Sequence, residues 1–335
     1  MTASLVVQTS FLGDMVLTTP LLAFLAERGD VDVVATPAAA ALLANHPAVR
    51  ETIVYDKRGV DRGVGGFLRL AARLRASRYD AAYHAQASPR SGALSAAARI
   101  GDRVGFATAA GRMFYTTRIA PIDNMHHAAR LLSLGTRDPL RPVLPETLRP
   151  RLYPGAVERE AVDTLLAGRP DSRSLIAVAP GSVWATKRWP FYPEFAALFS
   201  RDAQIVVIGG AADSALASEI VAASSGSAID ATGKLSLLAS AELIGRVSLL
   251  VTNDSSPLHL ASAMNTPTLA IFGPTVPEFG FGPLAERAET AGVSNLECRP
   301  CDRHGPQKCP LGHWRCMRDL SAEQVVTSAR QLLGL

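Results

Sequence analysis

The sequence predicts an α/β protein built from two doubly wound domains, each a parallel sheet covered by helices. Short apolar runs alternate with helical segments in both halves of the chain, a pattern typical of parallel sheets with helical crossovers. The chain has 335 residues, which is enough for two domains of ordinary size. A proline-rich stretch without clear periodicity, residues 137–154, separates the halves. We therefore predict one domain at residues 1–160 and another at residues 161–335.

Apolar periodicity and helix-start signals place the individual strands and helices. In the first half we expect strands at 5–8, 31–35, 51–55 and 80–83, and helices at 15–27, 37–45, 67–75, 91–98 and 125–134. Residues 63–66 are interpreted as a flexible joint, and 99–122 as short strands with an exposed loop. In the second half we expect strands at 175–179, 204–208, 227–229, 247–251 and 268–272, and helices at 193–200, 213–223, 237–246, 258–264 and 321–333.

The composition is that of an ordinary globular protein, with 48% hydrophobic and 19% charged residues. A formal net charge of +4 indicates no nucleic-acid partner. We expect no signal peptide, because residues 1–10 form a strand-like run without a basic region or a cleavage site, and we see no apolar segment of membrane-spanning length. We therefore expect a cytoplasmic protein whose four cysteines do not form a disulfide framework.

Residues 251–275 have the pattern of a strand, a turn, a short helix and a further strand. The turn, Asn253-Asp254-Ser255-Ser256-Pro257, combines small polar side chains with a proline, which is a helix-start signal. In an open parallel sheet such a turn lies at the carboxyl edge, where ligands bind. Its backbone N–H groups and the helix dipole suit an anion such as a phosphate.

This stretch resembles a known family. The pattern N-D-S-x-P-x-H-x-A-x-A, followed by P-T-x-A-I-F-G-P-T, is similar to the nucleotide-sugar loop of the glycosyltransferase family 9 heptosyltransferases. These enzymes build the inner core of bacterial lipopolysaccharide from ADP-heptose. Leu12-Gly13-Asp14-Met15, and Pro180-Gly181-Ser182 with Lys187-Arg188-Trp189-Pro190, resemble two further family motifs in the same order.

The resemblance implies a GT-B fold, in which two Rossmann-like lobes face a central cleft. It assigns the acceptor to the first lobe and the nucleotide sugar to the second. In that fold the final helix often packs back on the first lobe. The implied reaction is an inverting, metal-independent heptosyl transfer, closer to the addition of the second heptose than of the first.

Asp14, after Gly13, is a candidate general base. It would take the proton from an acceptor hydroxyl as that oxygen attacks the anomeric carbon, and a single inverting displacement needs one base. The alternative from the residues alone is that Asp14 caps the following helix. The resemblance places the family's catalytic aspartate on Asp14, and we favour catalysis.

Lys187 follows a predicted strand and precedes a helix. A cation there would stabilise the nucleoside diphosphate as it leaves, which makes a divalent metal unnecessary for that step. Ser182 and Thr186 are candidates to donate to the same phosphates. The alternative is a solvated lysine–arginine pair on a loop.

The turn at 254–256 supplies a second set of phosphate contacts. Ser255 and Ser256 would donate backbone N–H groups, while Asp254 would orient those groups or accept a sugar hydroxyl. The family commonly has glycine where Ser256 stands. His259 would donate to phosphate or sugar, or else it is a histidine of the core.

The sequence indicates the contacts to the nucleoside less clearly than those to the phosphates. Asp213, after Gly209-Gly210, is a candidate for the ribose hydroxyls, and its alternative is a first-turn aspartate on a surface helix. The resemblance places an adenine-contacting backbone at Leu235.

Basic residues in predicted loops of the first half are candidates for an anionic sugar acid or a lipid phosphate of the acceptor. They are Arg58, Arg62, Arg90 and Arg112, together with His84. The alternative is that most are solvated surface side chains. A lipid-linked inner-core acceptor is compatible with a peripheral contact at the cytoplasmic face of the inner membrane, although no amphipathic anchor helix is evident. We expect a monomer.

Four cysteines lie close together in sequence, at Cys298, Cys301, Cys309 and Cys316. One interpretation is a structural zinc or iron site of four thiolates. A related branch of the family, which glycosylates autotransporter proteins, uses cysteine-bound iron with a different spacing. The other interpretation is a loop of four reduced thiols. In neither case does the chemistry require a cofactor.

Two other functions stay open at this point. The same machinery could use another ADP- or UDP-sugar for surface glycan or protein glycosylation, or the chain could be a two-lobed binding module without turnover. A nucleotide-dependent oxidoreductase is disfavoured, because no G-x-G-x-x-G follows the first strand.

Overall fold

A computed structural model describes residues 2–168 and 173–335. The described chain divides into two compact units, which we call the N-terminal unit (up to Tyr153) and the C-terminal unit (from Pro154). Among the described residues each unit contains one six-stranded parallel sheet with helices, which confirms the α/β fold class.

The N-terminal unit begins with the first strand and ends with a short helix. Its strands are β1 (Thr2–Gln8), β2 (Gly29–Ala35), β3 (Glu51–Val54), β4 (Ala81–His84), β5 (Asp102–Phe106) and β6 (Thr117–Ile119). Its helices are α1 (Leu12–Ala26), α2 (Pro37–Leu42), α3 (Gly63–Ala76), α4 (Pro89–Ala97), α5 (His127–Thr136) and α6 (Pro145–Leu148), with a 3-10 turn at Arg112–Phe114. The strand order is β3-β2-β1-β4-β5-β6.

The C-terminal unit repeats this plan. Its strands are β7 (Leu175–Ala179), β8 (Gln204–Val207), β9 (Ile229–Asp230), β10 (Leu249–Asn253), β11 (Thr268–Ile271) and β12 (Ala288–Ala291). Its helices are α7 (Ala156–Leu166), α8 (Tyr192–Phe199), α9 (Ser214–Ala223), α10 (Leu237–Arg246), α11 (Ser256–Met264), α12 (Arg315–Arg318) and α13 (Ala322–Leu333). Short 3-10 turns lie at Ala185–Lys187, Ala211–Asp213 and Pro277–Phe279, and the strand order is β12-β11-β10-β7-β8-β9.

In each sheet the order in which successive strands are added reverses at a switch point. This point lies between β1 and β4 in one unit and between β7 and β10 in the other. The registers are continuous across these points, with Val6 beside Tyr83 and Val251 beside Val178. In open α/β sheets ligands bind outside the carboxyl ends of strands at a switch point. The two switch points are therefore the places where each unit can carry a site.

The central strands are buried on both faces, because helices cover each sheet. Leu5 and Val7 of β1 belong to the N-terminal core, and Ile176 and Val251 belong to the C-terminal core. Strands buried in this way are runs of Val, Ile and Leu without polar alternation. The core thus holds the strand ends, and the loops that follow them, in fixed positions.

Two helices begin three or more residues earlier than the sequence predicts. Helix α1 begins at Leu12, three residues earlier than expected, because residue 11 already has the extended backbone of an N-cap. Residues 63–66 are the first turn of α3, not a flexible joint. Helix α13 follows Ser321, whose hydroxyl and Gln324 form a capping box, and it packs on α8 and on the β10–β12 side of its own sheet.

Candidate functional site

The switch point of the C-terminal unit holds a buried ion pair. Lys187 Nζ lies 2.6 Å from Asp254 Oδ2, and each side chain is only 10% exposed. The Thr275 hydroxyl donates to the same carboxylate oxygen at 2.7 Å. Lys187 comes from the loop after β7, Asp254 from the turn after β10 and Thr275 from the loop after β11. Three neighbouring strand ends therefore converge on one charged cluster.

Asn253, the last residue of β10, fixes the position of this cluster. Its amide nitrogen donates to the Pro180 carbonyl at 2.8 Å, and its amide oxygen accepts from the Trp189 backbone N–H at 3.2 Å and from the Tyr192 hydroxyl at 3.3 Å. The side chain is fully buried. Asn253 thus joins the ends of β7 and β10 to the start of α8, a role that the sequence analysis did not assign.

Helix α11 begins beside the ion pair. Ser255 is its N-cap, and among the described residues no side chain accepts a capping hydrogen bond from its first turn. Ser255 and Ser256 are partly exposed, so the N–H groups at this helix start face an accessible edge. His259 is buried one turn into the helix, with its ring 6.3 Å from that of Phe281. His259 lies deeper than Ser255 and Ser256, and anion binding at this turn stays a prediction.

A segment from the cysteine loop holds the loop that carries Lys187. Thr186 donates through its N–H, at 3.4 Å, and through its hydroxyl to the Pro306 carbonyl. Gln307 accepts from the Ala185 N–H at 3.2 Å and donates to the Val183 carbonyl at 2.9 Å. The Thr186 hydroxyl is therefore engaged with Pro306, whereas the Ser182 hydroxyl accepts from a backbone N–H within its own loop.

Gly305 shows how closely this segment approaches the lysine. It has φ +84°, and a Cβ at this position would lie 3.2 Å from Lys187 Cε. The left-handed backbone and the close approach both favour glycine. The segment at 304–307 thus forms one wall around the Lys187 side chain.

Asp213 lies at the next strand end. Its carboxylate accepts from the Gly210 N–H at 2.9 Å, and a Cβ on Gly181 would approach it to 2.5 Å. The Gly233 N–H donates to the Gly209 carbonyl at 3.0 Å, which brings the loop carrying Leu235 to the same edge. Asp213 and Leu235 are partly exposed there. The structure therefore groups the two predicted nucleoside contacts beside the β7 loop.

The switch point of the N-terminal unit holds Asp14. It lies in the first turn of α1, whose N-cap is Phe11, so Asp14 is not the N-cap considered as the alternative. The Ser10 hydroxyl lies 2.6 Å from Asp14 Oδ2, and His127 Nε2 lies 3.7 Å from Oδ1. Gln8 accepts from Ser10 and donates to the Ala85 carbonyl at 2.9 Å, tying the end of β1 to the end of β4.

His127 was not among the residues singled out from the sequence. It is the first residue of α5 and lies 113 residues beyond Asp14 in the chain, so only the fold brings the two together. The Asp14 carboxylate is thus held by a hydroxyl on one side and faces an imidazole on the other. This is an arrangement suited to a general base whose orientation is fixed.

Basic side chains lie close to the loop after β1, which precedes Asp14. Lys57 Nζ donates to the Thr9 carbonyl at 2.8 Å, and Arg90 Nε donates to the Tyr55 hydroxyl at 2.7 Å. Burial lowers the pKa of Lys57, and the positive charges of Arg58 and Arg90 lower it further. Because these charges disfavour the protonated form of Lys57, an anionic ligand bound beside it would favour that form.

The other predicted acceptor contacts fall into two groups. Arg58, Arg62 and Arg112 are exposed on loops and at the N-cap of α3. His84 is fully buried, with Nε2 2.9 Å from the Ser95 hydroxyl and its ring stacked 4.6 Å from Tyr115. Burial lowers the pKa of His84 to about 3, so the ring is neutral at pH 7. The structure places His84 in the core, away from any surface that an acceptor could reach.

The four cysteines are free thiols. Burial raises the pKa of Cys316 to about 11, and the negative charges that Cys301, Cys309 and Cys298 carry as thiolates raise it further. Within the described residues, however, no group of three or more His, Cys, Asp or Glu side chains is arranged to hold a metal ion. The zinc or iron site stays a prediction.

Comparisons with known proteins identify the family of this chain. Residues 67–314 match the family described as glycosyltransferase family 9 (heptosyltransferase). The chain is 29% identical to lipopolysaccharide heptosyltransferase 2 of Salmonella typhimurium over 303 residues, covering 85% of this chain and 86% of that protein. It is 31% identical to lipooligosaccharide heptosyltransferase 2 of Campylobacter jejuni over 170 residues, and that match spans 49% of this chain and 52% of that protein.

A solved structure shows the same fold. The structure of Escherichia coli ADP-heptose lipopolysaccharide heptosyltransferase II has a TM-score of 0.80 and 25% identity, covering 99% of this chain and 98% of that one. The chain belongs to glycosyltransferase family 9, is a glycosyltransferase and has the GT-B fold. In residues 2–168 and 173–335, no helix has the length and apolar character needed to cross a bilayer.

Proposed function

We propose that the chain transfers heptose from ADP-heptose to a lipid-linked inner-core lipopolysaccharide acceptor, with inversion at the anomeric carbon. The observation that carries the proposal is the Lys187–Asp254–Thr275 cluster at the switch point of the C-terminal unit, beside an α11 start without a side-chain cap in the described chain. The names of the family 9 relatives support heptose as the sugar and lipopolysaccharide as the acceptor.

The leaving diphosphate is the ligand of this cluster. When it binds, Lys187 exchanges its contact with Asp254 for the phosphates, and the N–H groups of Ser255 and Ser256 donate to them. Negative charge grows on the diphosphate as the glycosidic bond breaks, so these donors stabilise the transition state more than the bound donor. Ser182 adds a hydroxyl, while His259 lies deeper behind the helix turn.

The nucleoside occupies the edge formed by the loops after β7, β8 and β9. Asp213 accepts the ribose hydroxyls, and the backbone at Leu235 contacts the adenine. The close approach of Gly181 and Gly209 to the Asp213 carboxylate supports this placement, because side chains there would displace it. Thr186 does not donate to the phosphates in this proposal, because its hydroxyl donates to the Pro306 carbonyl. It instead helps to hold the loop that carries Lys187.

Asp14 acts as the general base. Its Oδ2 is held by Ser10, and Oδ1 faces His127, so the carboxylate has a fixed orientation for taking a proton. The acceptor hydroxyl loses its proton to Asp14, its oxygen bonds to the anomeric carbon, and ADP departs with the electron pair of the broken bond. One displacement of this kind needs one base and inverts the configuration.

The acceptor is recognised as an anion. Lys57, Arg58, Arg62, Arg90 and Arg112 supply the positive charge for a sugar carboxylate or a lipid phosphate. His84 is left out because it is buried. Work on a lipid-linked acceptor places the enzyme at the cytoplasmic face of the inner membrane. No step of the proposal passes through a metal ion.

Nucleotide preference tests the proposal directly. Melting temperatures are compared with ADP, UDP, GDP and ADP-heptose. Heptose transfer to two lipopolysaccharide acceptors, one without heptose and one that carries a single heptose, is followed by mass spectrometry. We expect stabilisation by ADP and ADP-heptose and a product heavier by one heptose. A preference for UDP, or binding of ADP-heptose without any transfer, would contradict the assignment. The first result would indicate another sugar donor, and the second a binding module.

A further inference from the structure

Positive charge is concentrated in one part of the N-terminal unit. Residues 57–78, which run from the loop after β3 through α3, contain seven Lys or Arg and one Asp, a net charge of +6. The whole chain carries +4, so the other 313 residues sum to −2. The basic character of this protein therefore comes from this segment, which we call the basic face.

The basic face also exposes apolar side chains. Val60, Val64 and Leu68 are 82%, 72% and 57% exposed. Val64 and Leu68 are four residues apart and lie on the same side of α3, with Val60 in the loop before them. The core does not require them, because α3 packs inward through Leu70 and Leu74. Single apolar residues scattered over a surface are normal, whereas a contiguous row of them indicates an interaction site.

Arginines flank the apolar row. Arg75 falls three turns after Val64, on the same side of the helix. The Arg69 side chain is 68% exposed, with its guanidinium 3.6 Å from Asp61. Within the described chain, Arg58, Arg62 and Arg75 form no ion pair. Arg73 pairs with Glu51 at 2.7 Å, so the face combines an apolar row with arginine charge that neighbouring acids neutralise only in part.

We propose that the basic face docks on an anionic lipid bilayer. Helices that lie in a membrane interface carry arginines on the polar side and apolar residues that enter the head-group region. Basic clusters bind anionic head groups through charge. The partner is a lipid surface because the positive charge of the basic face complements anionic head groups. In addition, the apolar row is narrow and holds only aliphatic side chains. Protein-binding surfaces instead tend to hold aromatic anchors.

The inference goes beyond the proposed function, because vesicle binding needs neither donor nor acceptor. Docking would bring the N-terminal unit to the surface where a lipid-linked acceptor lies. The basic face includes Arg58 and Arg62, which the proposed function assigns to the acceptor, so those two residues are left unchanged in the test.

The test is sedimentation of the full chain with sucrose-loaded vesicles. One vesicle type contains phosphatidylglycerol and phosphatidylethanolamine, and the other contains phosphatidylcholine alone. We expect at least about tenfold stronger binding to the anionic vesicles, weakened by high salt. The variant Arg69→Gln/Arg75→Gln should bind about 30-fold more weakly. The variant Val64→Ser/Leu68→Ser should bind about tenfold more weakly.

Matched controls carry the same changes elsewhere. Val157→Ser/Leu311→Ser changes two apolar side chains that are 75% and 65% exposed, and Arg201→Gln/Arg303→Gln removes two exposed charges. Both should bind like the wild type, and far-UV melting curves check that every variant is folded. Absence of wild-type binding to anionic vesicles, or equal losses in test and control variants, would overturn the proposal. Self-association of the wild type without lipid that is lost in Val64→Ser/Leu68→Ser would assign the face to a second copy and also overturn it.

Discussion

The buried pair between Lys187 and Asp254 makes a quantitative prediction for Lys187→Met. Methionine keeps the apolar stem and removes the charge. The Asp254 carboxylate, 10% exposed, then keeps the Thr275 hydroxyl but loses the cation at 2.6 Å. Removing one partner of a buried pair costs about 3–5 kcal/mol, because the other charge stays buried without compensation. For a protein of this size we expect the melting temperature to fall by about 6–20 °C.

The double variant Lys187→Met/Asp254→Asn separates this effect from a simple loss of packing. The neutral amide needs no cation and can still accept from Thr275, so the double variant should recover much of the lost stability. Thermal unfolding of the wild type, both single variants and the double variant forms a cycle with an expected coupling of about 2 kcal/mol or more. Additive losses in the double variant would refute the coupling between the two side chains.

Ligand binding gives a second measurement on the same variants. In the wild type, ADP should raise the melting temperature, because its diphosphate takes over the contact with Lys187. In Lys187→Met we expect ADP affinity to fall about tenfold or more, since a charged hydrogen bond to the phosphate is lost. Unchanged ADP affinity, measured by calorimetry, would remove Lys187 from the phosphate site.

Three further predictions concern single side chains. His127→Asn should lower kcat for heptose transfer about tenfold with ADP-heptose affinity unchanged, because the imidazole 3.7 Å from Asp14 helps to orient the base. Between pH 7 and pH 5, the unfolding free energy of the wild type should fall about 2 kcal/mol more than that of His84→Phe. Burial lowers the His84 pKa to about 3, so below the unfolded value of 6.5 the unfolded chain takes up a proton that the folded chain does not. Ser321→Ala should cost about 1 kcal/mol of unfolding free energy through loss of the α13 cap.

Each of these predictions has a matched control. His126→Asn keeps an N-cap side chain on α5 and should leave kcat unchanged. In His84→Phe the Ser95 hydroxyl keeps its bond to the Gly92 carbonyl, so the comparison isolates the titration. Ser321→Asp retains a capping carboxylate and should melt near the wild type. Equal effects of His126→Asn and His127→Asn on kcat would contradict the role of His127. Parallel pH dependence of the unfolding free energy in the wild type and His84→Phe would contradict the role of His84. Equal losses of stability in both Ser321 variants would contradict the capping role of Ser321.

Local sequence patterns were enough to predict most of the strands and helices of both units. The strands β7, β8, β10 and β11 are nearly continuous apolar runs, and their observed bounds fall within two residues of the expected ones. Helix α10 was predicted with both ends correct, because Ser236 is a capping residue and the apolar period is regular.

The elements without such patterns were missed. Helix α7 has one fully buried side chain, Val162, so its apolar period is weak. Strand β12 is a short, half-exposed strand at the sheet edge with a charged residue, Glu289, inside it. Residues 63–66 are rich in glycine, so the start of α3 was predicted four residues too late.

The sequence predicted the candidate residues that lie in motifs. It did not predict the contacts that form only when distant parts of the chain come together. Lys187 and Asp254 were both singled out, yet their pairing at 2.6 Å depends on adjacent strand ends, 67 residues apart in the chain. Thr275 ends the P-T-x-A-I-F-G-P-T pattern, but no role was assigned to it from the sequence, and His127 has no local signal. Both contribute through the same long-range convergence. His84 was misplaced at the surface because Tyr115, which covers it, comes from a distant part of the sequence.

The role of Asp14 is the claim on which the account of catalysis depends most. Its most direct test is the rate of heptose transfer by Asp14→Asn at saturating ADP-heptose, together with calorimetric titration of the donor. We predict a loss of about 10²–10⁴-fold in kcat, with donor affinity within about twofold of the wild type, because the diphosphate contacts proposed here come from the C-terminal unit. Transfer at the wild-type rate by Asp14→Asn would contradict the assignment of the general base.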